Sequence, residues 1–442
     1  ILPISAISRL LWFSRLLARH GILTVVGNHV AVKADAGEIE IMFMQWPTGP
    51  FVSFARATRK LAALAAVTVG LAACNVTGAG PNLETGSGGG GVSGSGPMVV
   101  ALLVPYGSSR GTDAAVAKGL ENAARLAASD LGEGAVKINV YPTQGTTGGA
   151  SAAATQAIAA GAQVILGPLY ADNAAAAGVA ASGSGIPVLS FSNNTSVAGG
   201  NVWVLGNTFE NTARRVLGFA AAQGRNRVLV THSNDASGQI ANAAITRAAS
   251  ETRAQITGSV PYELNQQGIM NAVPGIAAKA RSTNSNAIFL TGNTSGDLPV
   301  ISQFLTEAGI GGEDFRFLGL TRWDIPSEAL QLPGLQGGYF TLPDPGPLSQ
   351  FRSRYAAAYG AQPHPLASLG YDGMAAIGAI ARNGKTVGRA TLTTRAGFAG
   401  TGGVFRLRGD GTNDRALAVA QIVNRQIQVV SPAPNSFGGA GS

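Results

Sequence analysis

Met98-Val99-Val100-Ala101-Leu102-Leu103-Val104, closed by Pro105, is an uninterrupted apolar run without a charge. Such a run, lacking in/out alternation, reads as a strand buried on both faces, and strands of that kind belong to parallel sheets covered by helices. Residues 112–131 carry apolar side chains at helical spacing (Val116, Leu120, Ala123, Ala124, Leu126, Ala127, Leu131). Residues 136–141 then alternate as a strand, and 149–160 read as a helix. Val164-Ile165-Leu166 is a second buried strand, ended by Gly167-Pro168. An Ala-rich helix starts at Asp172, and 187–191 form the next strand. Strand and helix alternate without hairpin signals, which predicts α/β layering with helices on both faces of a parallel sheet.

The alternation repeats downstream. Helices are expected at 211–223, 237–253, 268–281 and 298–308, with strands at 227–231, 256–262, 287–290 and 315–320. Residues 337–342 form a further strand, and their flanking Pro and Gly suggest a segment crossing between lobes. Helices at 349–359 and 366–382 precede a final β pair, 403–407 and 415–423, turning at Gly409-Asp410-Gly411. The predicted fold is therefore α/β, with two doubly wound parallel-sheet lobes and a central cleft. Residues 97–207 and 340–390 are assigned to the first lobe, and 208–339 and 391–430 to the second. The Pro/Gly/Ser-rich residues 431–442 read as a disordered tail.

This plan resembles the type I periplasmic binding protein fold in its leucine/isoleucine/valine-binding branch. The residues that carry the likeness are Val100-Ala101-Leu102-Leu103-Val104-Pro105, Gly119-Leu120-Glu121-Asn122-Ala123-Ala124-Arg125-Leu126-Ala127 and Ile165-Leu166-Gly167-Pro168-Leu169. Ile186-Pro187-Val188-Leu189-Ser190-Phe191-Ser192 and Gly403-Val404-Phe405-Arg406-Leu407 complete it. Within that branch, Phe191-Ser192-Asn193-Asn194-Thr195-Ser196-Val197-Ala198-Gly199 and Val202-Trp203-Val204-Leu205-Gly206 are similar to penicillin-binding protein activators, lipoproteins of the LpoA-like type. That resemblance implies a regulator of peptidoglycan synthesis whose partner is a cell-wall synthase. The alternative is a solute-binding lipoprotein that delivers amino acids or small peptides to an ABC permease.

The N-terminal region supplies an address. Arg56, Arg59 and Lys60 precede an apolar run over residues 61–73, which ends Leu71-Ala72-Ala73 before Cys74, the one cysteine of the chain. A basic n-region, an apolar h-region of about a dozen residues and small residues at the cut describe an export signal over 56–73. With Cys next, it resembles a bacterial lipoprotein signal, which implies lipidation of Cys74 and attachment to a periplasmic membrane face. Asn75 after the cysteine, in place of Asp, permits sorting to the outer membrane. Residues 74–96 are Gly/Ser-rich and read as a tether, while 1–55 read as a non-native extension. Seven basic and three acidic residues precede Cys74, so half of the formal charge of +8 belongs to this leader. The 24 basic and 20 acidic residues that remain form no basic block, which argues against a nucleic-acid partner. A lone cysteine and four histidines also leave no basis for a disulfide, a structural metal or another cofactor.

Ligands of open parallel sheets bind beyond the carboxyl ends of the strands. The corresponding loops offer Tyr106, then Tyr170-Ala171-Asp172, then Ser192-Asn193-Asn194 from the first lobe. The second offers Asp235, Asn293 and Arg322-Trp323. Hydroxyls and helix N-termini suit a carboxylate, Asp235 or Asp324 suits an ammonium, and Tyr170 and Trp323 suit apolar groups. Several of these residues have a structural alternative. Asp172 and Asp235 are placed to cap helices, Ser192, Asn193 and Asn194 to satisfy loop backbone, Arg322 to brace a hinge, and Trp323 to fill a core. No nucleophile elbow occurs, and Gly384-Lys385-Thr386 follows a helix where a phosphate loop follows a strand, so a non-enzymatic binder is expected.

Overall fold

The computed structural model describes residues 96–437 and, before them, the backbone of three short strands. Those strands, Ile22–Val26, His29–Ala34 and Gly37–Glu40, pair antiparallel within a separate compact unit, residues 1–84. Cys74, the signal at 56–73, the tether up to residue 95 and residues 438–442 lie outside the described residues.

In the larger unit, β1 (Met98–Val104) is flanked by β2 (Val136–Pro142) and β3 (Val164–Leu166). β4 (Val188–Ser190) and β5 (Val202–Val204) complete a parallel sheet of order β2-β1-β3-β4-β5. The apolar run of β1 is divided between two cores, as its twofold side-chain period requires. Val100, Leu102 and Val104 meet Val116, Leu120 and Ala124 of α1 (Asp113–Ser129). Ala101 and Leu103 meet the alanines of α2 (Thr147–Ala159) and α3 (Ala171–Ser182).

The second lobe repeats the scheme with α4 (Phe209–Ala222), β6 (Arg227–Ser233), α5 (Ala236–Ser250), β7 (Gln255–Tyr262) and α6 (Gln266–Ser282). β8 (Ala287–Leu290), α7 (Leu298–Glu307), β9 (Arg316–Gly319) and β10 (Tyr339–Pro343) follow. The chain then returns to the first lobe with α8 (Pro345–Tyr359), α9 (Ala367–Arg382) and α10 (Arg389–Leu392). A small antiparallel sheet comes next: β11 (Phe398–Gly400), β12 (Gly403–Leu407) and β13 (Asn413–Arg415). Finally β14 (Leu417–Val423) and β15 (Gln426–Ser431) join the second sheet, of order β7-β6-β8-β9-β10-β14-β15. β14 and β15 run antiparallel, joined by Asn424-Arg425 with φ of 51° and 63°, the backbone a tight hairpin needs.

The lobe boundaries differ from those expected at two places. β10 belongs to the second sheet, with Phe340 and Leu342 in that lobe's core, so the crossing falls near Pro343 and not at 340. Residues 391–415 belong to the first lobe, because Leu392, Phe405 and Leu407 fill its core beside Ile377 and Ile380 of α9. Residues 431–437 are more ordered than their composition suggested. Arg215 donates to Ser431 Oγ at 2.7 Å and to the Pro432 carbonyl at 3.0 Å, and Ala433 is buried. Phe437 lies under the Arg406 guanidinium at 4.8 Å. Strands β5, β11 and β15, of three to six residues, were not among those expected from the sequence, and the expected pair of 403–407 with 415–423 does not form, because β12 pairs with β13 while β14 joins the second sheet.

The chain crosses between lobes three times, and polar groups lace the crossings together. Asn413 Nδ2 donates to the carbonyls of Val204 and Gly206 at 2.8 and 2.9 Å, and its Oδ1 accepts from Asn211 at 2.8 Å. The Asp344 amide donates to the Gly402 carbonyl at 2.8 Å. Beside them, Asp414 bonds Arg406 at 2.7 Å and, from the second lobe, Arg214 at 2.8 Å, with Arg408 at 3.5 Å. Burial alone would raise the Asp414 carboxyl, but the Arg406 hydrogen bond and the Arg214 and Arg408 charges outweigh it and hold it below the usual range. A carboxyl depressed by folding stabilises the protein fully above its unfolded value, near 3.9, and that contribution is lost as pH falls through the folded value. Urea unfolding followed from pH 6 to pH 3 is therefore expected to show a stability loss below about pH 4 that is shallower in Asp414→Asn. Equal slopes for the two proteins would refute this assignment.

Candidate functional site

Where the three crossings meet, the two lobes enclose a cleft of about 870 Å³. The carboxyl ends of β3 and β4 reach it from the first lobe and that of β9 from the second, as expected for open parallel sheets. Six of the residues singled out from sequence line it: Tyr170, Ala171, Ser192, Asn193, Asn194 and Arg322.

Tyr170 precedes α3 and donates its hydroxyl to Asp113 Oδ1 at 2.6 Å. Burial and this bond raise its hydroxyl pKa, against the opposing influence of Arg110, whose guanidinium lies 4.3 Å from the ring. Ser192 is buried, and its Oγ accepts the Asn194 amide at 3.1 Å. The Asn194 carboxamide accepts the Ser196 amide at 2.9 Å, capping a short helical turn. The two loop roles expected as alternatives for Ser192 and Asn194 are thus both present. Asn193 is exposed, and its side chain has no hydrogen-bond partner among the described residues. Gly206 packs so closely beneath it that a Cβ there would lie 2.8 Å from Asn193 Cβ, so this crossing requires glycine. Arg322 lines the cleft but is already held by both carboxylate oxygens of Asp324, through Nε at 2.8 Å and through Nη2.

The other five lie elsewhere. Tyr106 turns onto α1, donating to Glu121 Oε2 at 2.7 Å, and burial with this bond drives its hydroxyl pKa well up. Its loop reaches the cleft through Thr112 and Asp113 instead. Asp172 is exposed in the first turn of α3, and the capping position there is Tyr170. Asp235 caps α5, accepting the Gly238 amide at 2.8 Å and the Ser233 hydroxyl at 2.7 Å. Those two bonds, Ser233 first, hold its carboxyl below the usual range. Asn293 accepts the Ser295 amide at 2.9 Å and borders a separate hollow of about 440 Å³ with Leu264, Asn265 and Asp297. Trp323 is core: fully buried, stacked on Phe340 at 5.7 Å, and seated between Gly319 and Gly338, where any Cβ would collide with the indole.

Sequence reasoning missed the residues that the crossings bring in. Asn207, Thr212, Thr341, Pro343, Thr401 and Arg415 line the cleft from segments far apart in the chain. The Gly and Pro flanks of 337–342 were the available signal for one of them. Arg415 makes a buried ion pair with Asp372 at 2.8 Å and donates to the Leu205 carbonyl through Nε at 2.9 Å. Asp372 also accepts the amide and hydroxyl of Thr401 at 2.7 and 3.0 Å. Apolar side chains share the walls: Val116, Leu169 and Phe191 from the first lobe, Leu320 and Leu342 from the second, with partly exposed Leu366 and Ile325, and Thr321, His364 and Ser368 lie among them. Apolar walls with convergent polar groups are the usual make-up of a small-molecule site.

Among the described residues, no helix is long and apolar enough to cross a membrane, and no group of three or more His, Cys, Asp or Glu side chains is placed to hold a metal ion. A family profile described as periplasmic binding protein matches residues 98–426. Solved structures share the fold. A branched-chain amino acid ABC transporter periplasmic ligand-binding protein from Burkholderia xenovorans aligns with a TM-score of 0.60 at 19% identity, over 77% of this chain and 97% of its own. An ABC transporter substrate-binding protein from Desulfitobacterium hafniense, in complex with Leu, gives 0.57 at 18% identity over 76% and 100%. A solute-binding protein of an ABC transporter from R. palustris, in complex with benzoate, gives 0.50 at 17% over 77% and 98%. No protein of curated function matches the sequence.

Proposed function

This chain belongs to the periplasmic binding protein family, and we propose that it captures a small solute between its lobes and presents it to an ABC importer. The observation that carries this reading is the cleft itself, at the strand ends, bounded by both lobes beside the three chain segments that cross between them. Closure of such lobes buries a solute and strengthens each polar contact to it. Relatives of the same fold crystallised with leucine or benzoate support capture of a small organic molecule. Lipidation at Cys74, if the leader is processed as its sequence suggests, places this receptor at a membrane surface facing the periplasm, and the mass of the mature N-terminus tests that.

The regulator reading rests on residues 191–206. In the structure Ser192, Asn194 and Gly206 serve the loop and the crossing, which lends that stretch no role specific to a cell-wall synthase. Transport is therefore the reading adopted, and a pull-down with a penicillin-binding protein is expected to recover no complex.

Thermal-shift screening and calorimetry against amino acids, short peptides, amines and aromatic acids test the solute reading. A solute at about 100 times its Kd stabilises the folded chain by about 2.7 kcal/mol. Leu366 lines the cleft at 38% exposure, so Leu366→Asp is expected to weaken binding roughly tenfold, about 1.4 kcal/mol, with little change in the ligand-free melting temperature. A panel without a single binder contradicts solute capture.

A further inference from the structure

The two large sheets have four edges, and three of them carry devices that discourage pairing with a further strand. β2 has Lys137 and ends in Pro142. β7 has Pro261, which lacks an amide hydrogen, and a register shift between Ile256 and Gly258. β5 is three residues long, and its Val204 amide is already spent on the Gly411 carbonyl at 2.9 Å. β15 differs. Its six residues, Gln426-Ile427-Gln428-Val429-Val430-Ser431, include no charge and no proline. Residues 426–429 are exposed, and among the described residues no other strand or loop bonds the backbone of their outer edge. The apolar side chains on this strand continue the core of the second lobe, since directly opposed residues of two strands share one face of the sheet. Ile427 lies opposite Ile422 and Val429 opposite Ala420, and both of those are buried in that core. The apolar layer therefore runs onto β15 and stops there, with Ile427 40% and Val429 42% exposed. Gln428 lies opposite Gln421 on the other face. The one irregularity in the pairing of β15 falls at Val430, beyond this run.

We infer that β15 pairs antiparallel with β15 of a second copy of this chain, about a twofold axis through Gln428. In that register Ile427 of each copy meets Val429 of the other on the apolar face, and the two Gln428 carboxamides meet on the opposite face. The strand is self-complementary in this register alone. Slipping by one residue sets Ile427 against Gln428, and slipping by two sets Val429 against Arg425 or Ile427 against Ser431. Arg425, the one charge adjoining the strand, faces Ser431 of the second copy, so the two guanidinium groups stand at opposite ends and do not repel at close range. Both copies use the same edge, so the pairing closes at two and leaves no unprotected strand for a third. The second sheets of the two copies then run on as one, and their apolar layers become continuous across the axis.

Sedimentation velocity of the purified chain over a range of concentrations tests this. A monomer–dimer equilibrium is expected. Ile427→Lys combined with Val429→Lys, the device found on β2, is expected to weaken it at least tenfold with little change in melting temperature. Cross-linking tests the register independently. In a chain carrying Cys74→Ser, Gln428→Cys is expected to give a disulfide-linked dimer on mild oxidation, because the two copies of that position face each other. Gln426→Cys is expected to give at least tenfold less, since its two copies stand about 13 Å apart along the strands, beyond disulfide reach. A monomer at every concentration up to about 0.5 mM overturns the inference. So does a dimer indifferent to the two lysines, an open polymer, or equal cross-linking at 426 and 428.

Discussion

Arg415→Met is expected to lower the free energy of unfolding by about 3–5 kcal/mol, the usual cost of leaving one partner of a buried ion pair uncompensated. The Asp372 side chain is 1% exposed and that of Arg415 10%. In the native protein every strong group of the pair is used: Thr401 gives Asp372 an amide and a hydroxyl, and the Leu205 carbonyl takes Nε and Nη2 of Arg415. Removing the guanidinium strands the carboxylate and the Leu205 carbonyl together, at the point where two crossings touch α9. Replacing both partners, as Asp372→Leu with Arg415→Met, removes the charge as well and is expected to recover much of the loss, since matched apolar pairs often equal buried ion pairs. Urea denaturation of the three proteins provides the comparison. A single variant that loses under about 1 kcal/mol would show that the pair has no such structural role.

Gly370→Ala, a change that elsewhere in a helix is favourable, is expected to cost about 2–3 kcal/mol. A Cβ at residue 370 would stand 2.3 Å from the Leu120 carbonyl oxygen, and that atom belongs to the backbone of α1, which cannot step aside as a side chain can. The same face of α9 carries Gly373 against Leu166 and Gly378 against Leu131, so glycines set the distance at which this helix lies on the first lobe. The propensity gain of Ala over Gly, about 0.5–1 kcal/mol, opposes the clash and does not cancel it. Gly275→Ala is the control: it is helical and exposed in α6 with nothing within 4 Å of the added methyl, and it is expected to stabilise by about 0.5–1 kcal/mol. Destabilisation by both, or by neither, would remove close helix contact as the explanation.

These outcomes separate two levels of information in the chain. The apolar run 98–104 and the helical spacing of 112–131 are local signals, each generated by a period of two or 3.6 within one element, and the observed β1 and α1 follow them closely. Short strands such as Val202–Val204 and Phe398–Gly400 contain too few residues to show a period, and they acquire their state from the neighbour they pair with. The same holds for the tail, where composition predicted disorder but Arg215 and Arg406 supply partners for residues 431–437.

For the cleft the division is sharper. Tyr170, Ser192, Asn193, Asn194 and Arg322 were legible because a loop after a buried strand must open at one end of the sheet. Tyr106, Asp235 and Trp323 met the same positional rule and face elsewhere, because Glu121, the α5 cap and the Phe340 stack offered each a local partner. By itself the sequence determined the α/β alternation and the strand ends at which a solute site can form, since periodicity and loop position are properties of single segments. Only the tertiary structure decided that the Tyr170 hydroxyl meets Asp113 at the cleft, and that Asp372 and Arg415 form a buried pair beside it. Both depend on segments 43 to 57 positions apart meeting at a lobe boundary, and packing, unlike periodicity, leaves no trace in any one of them.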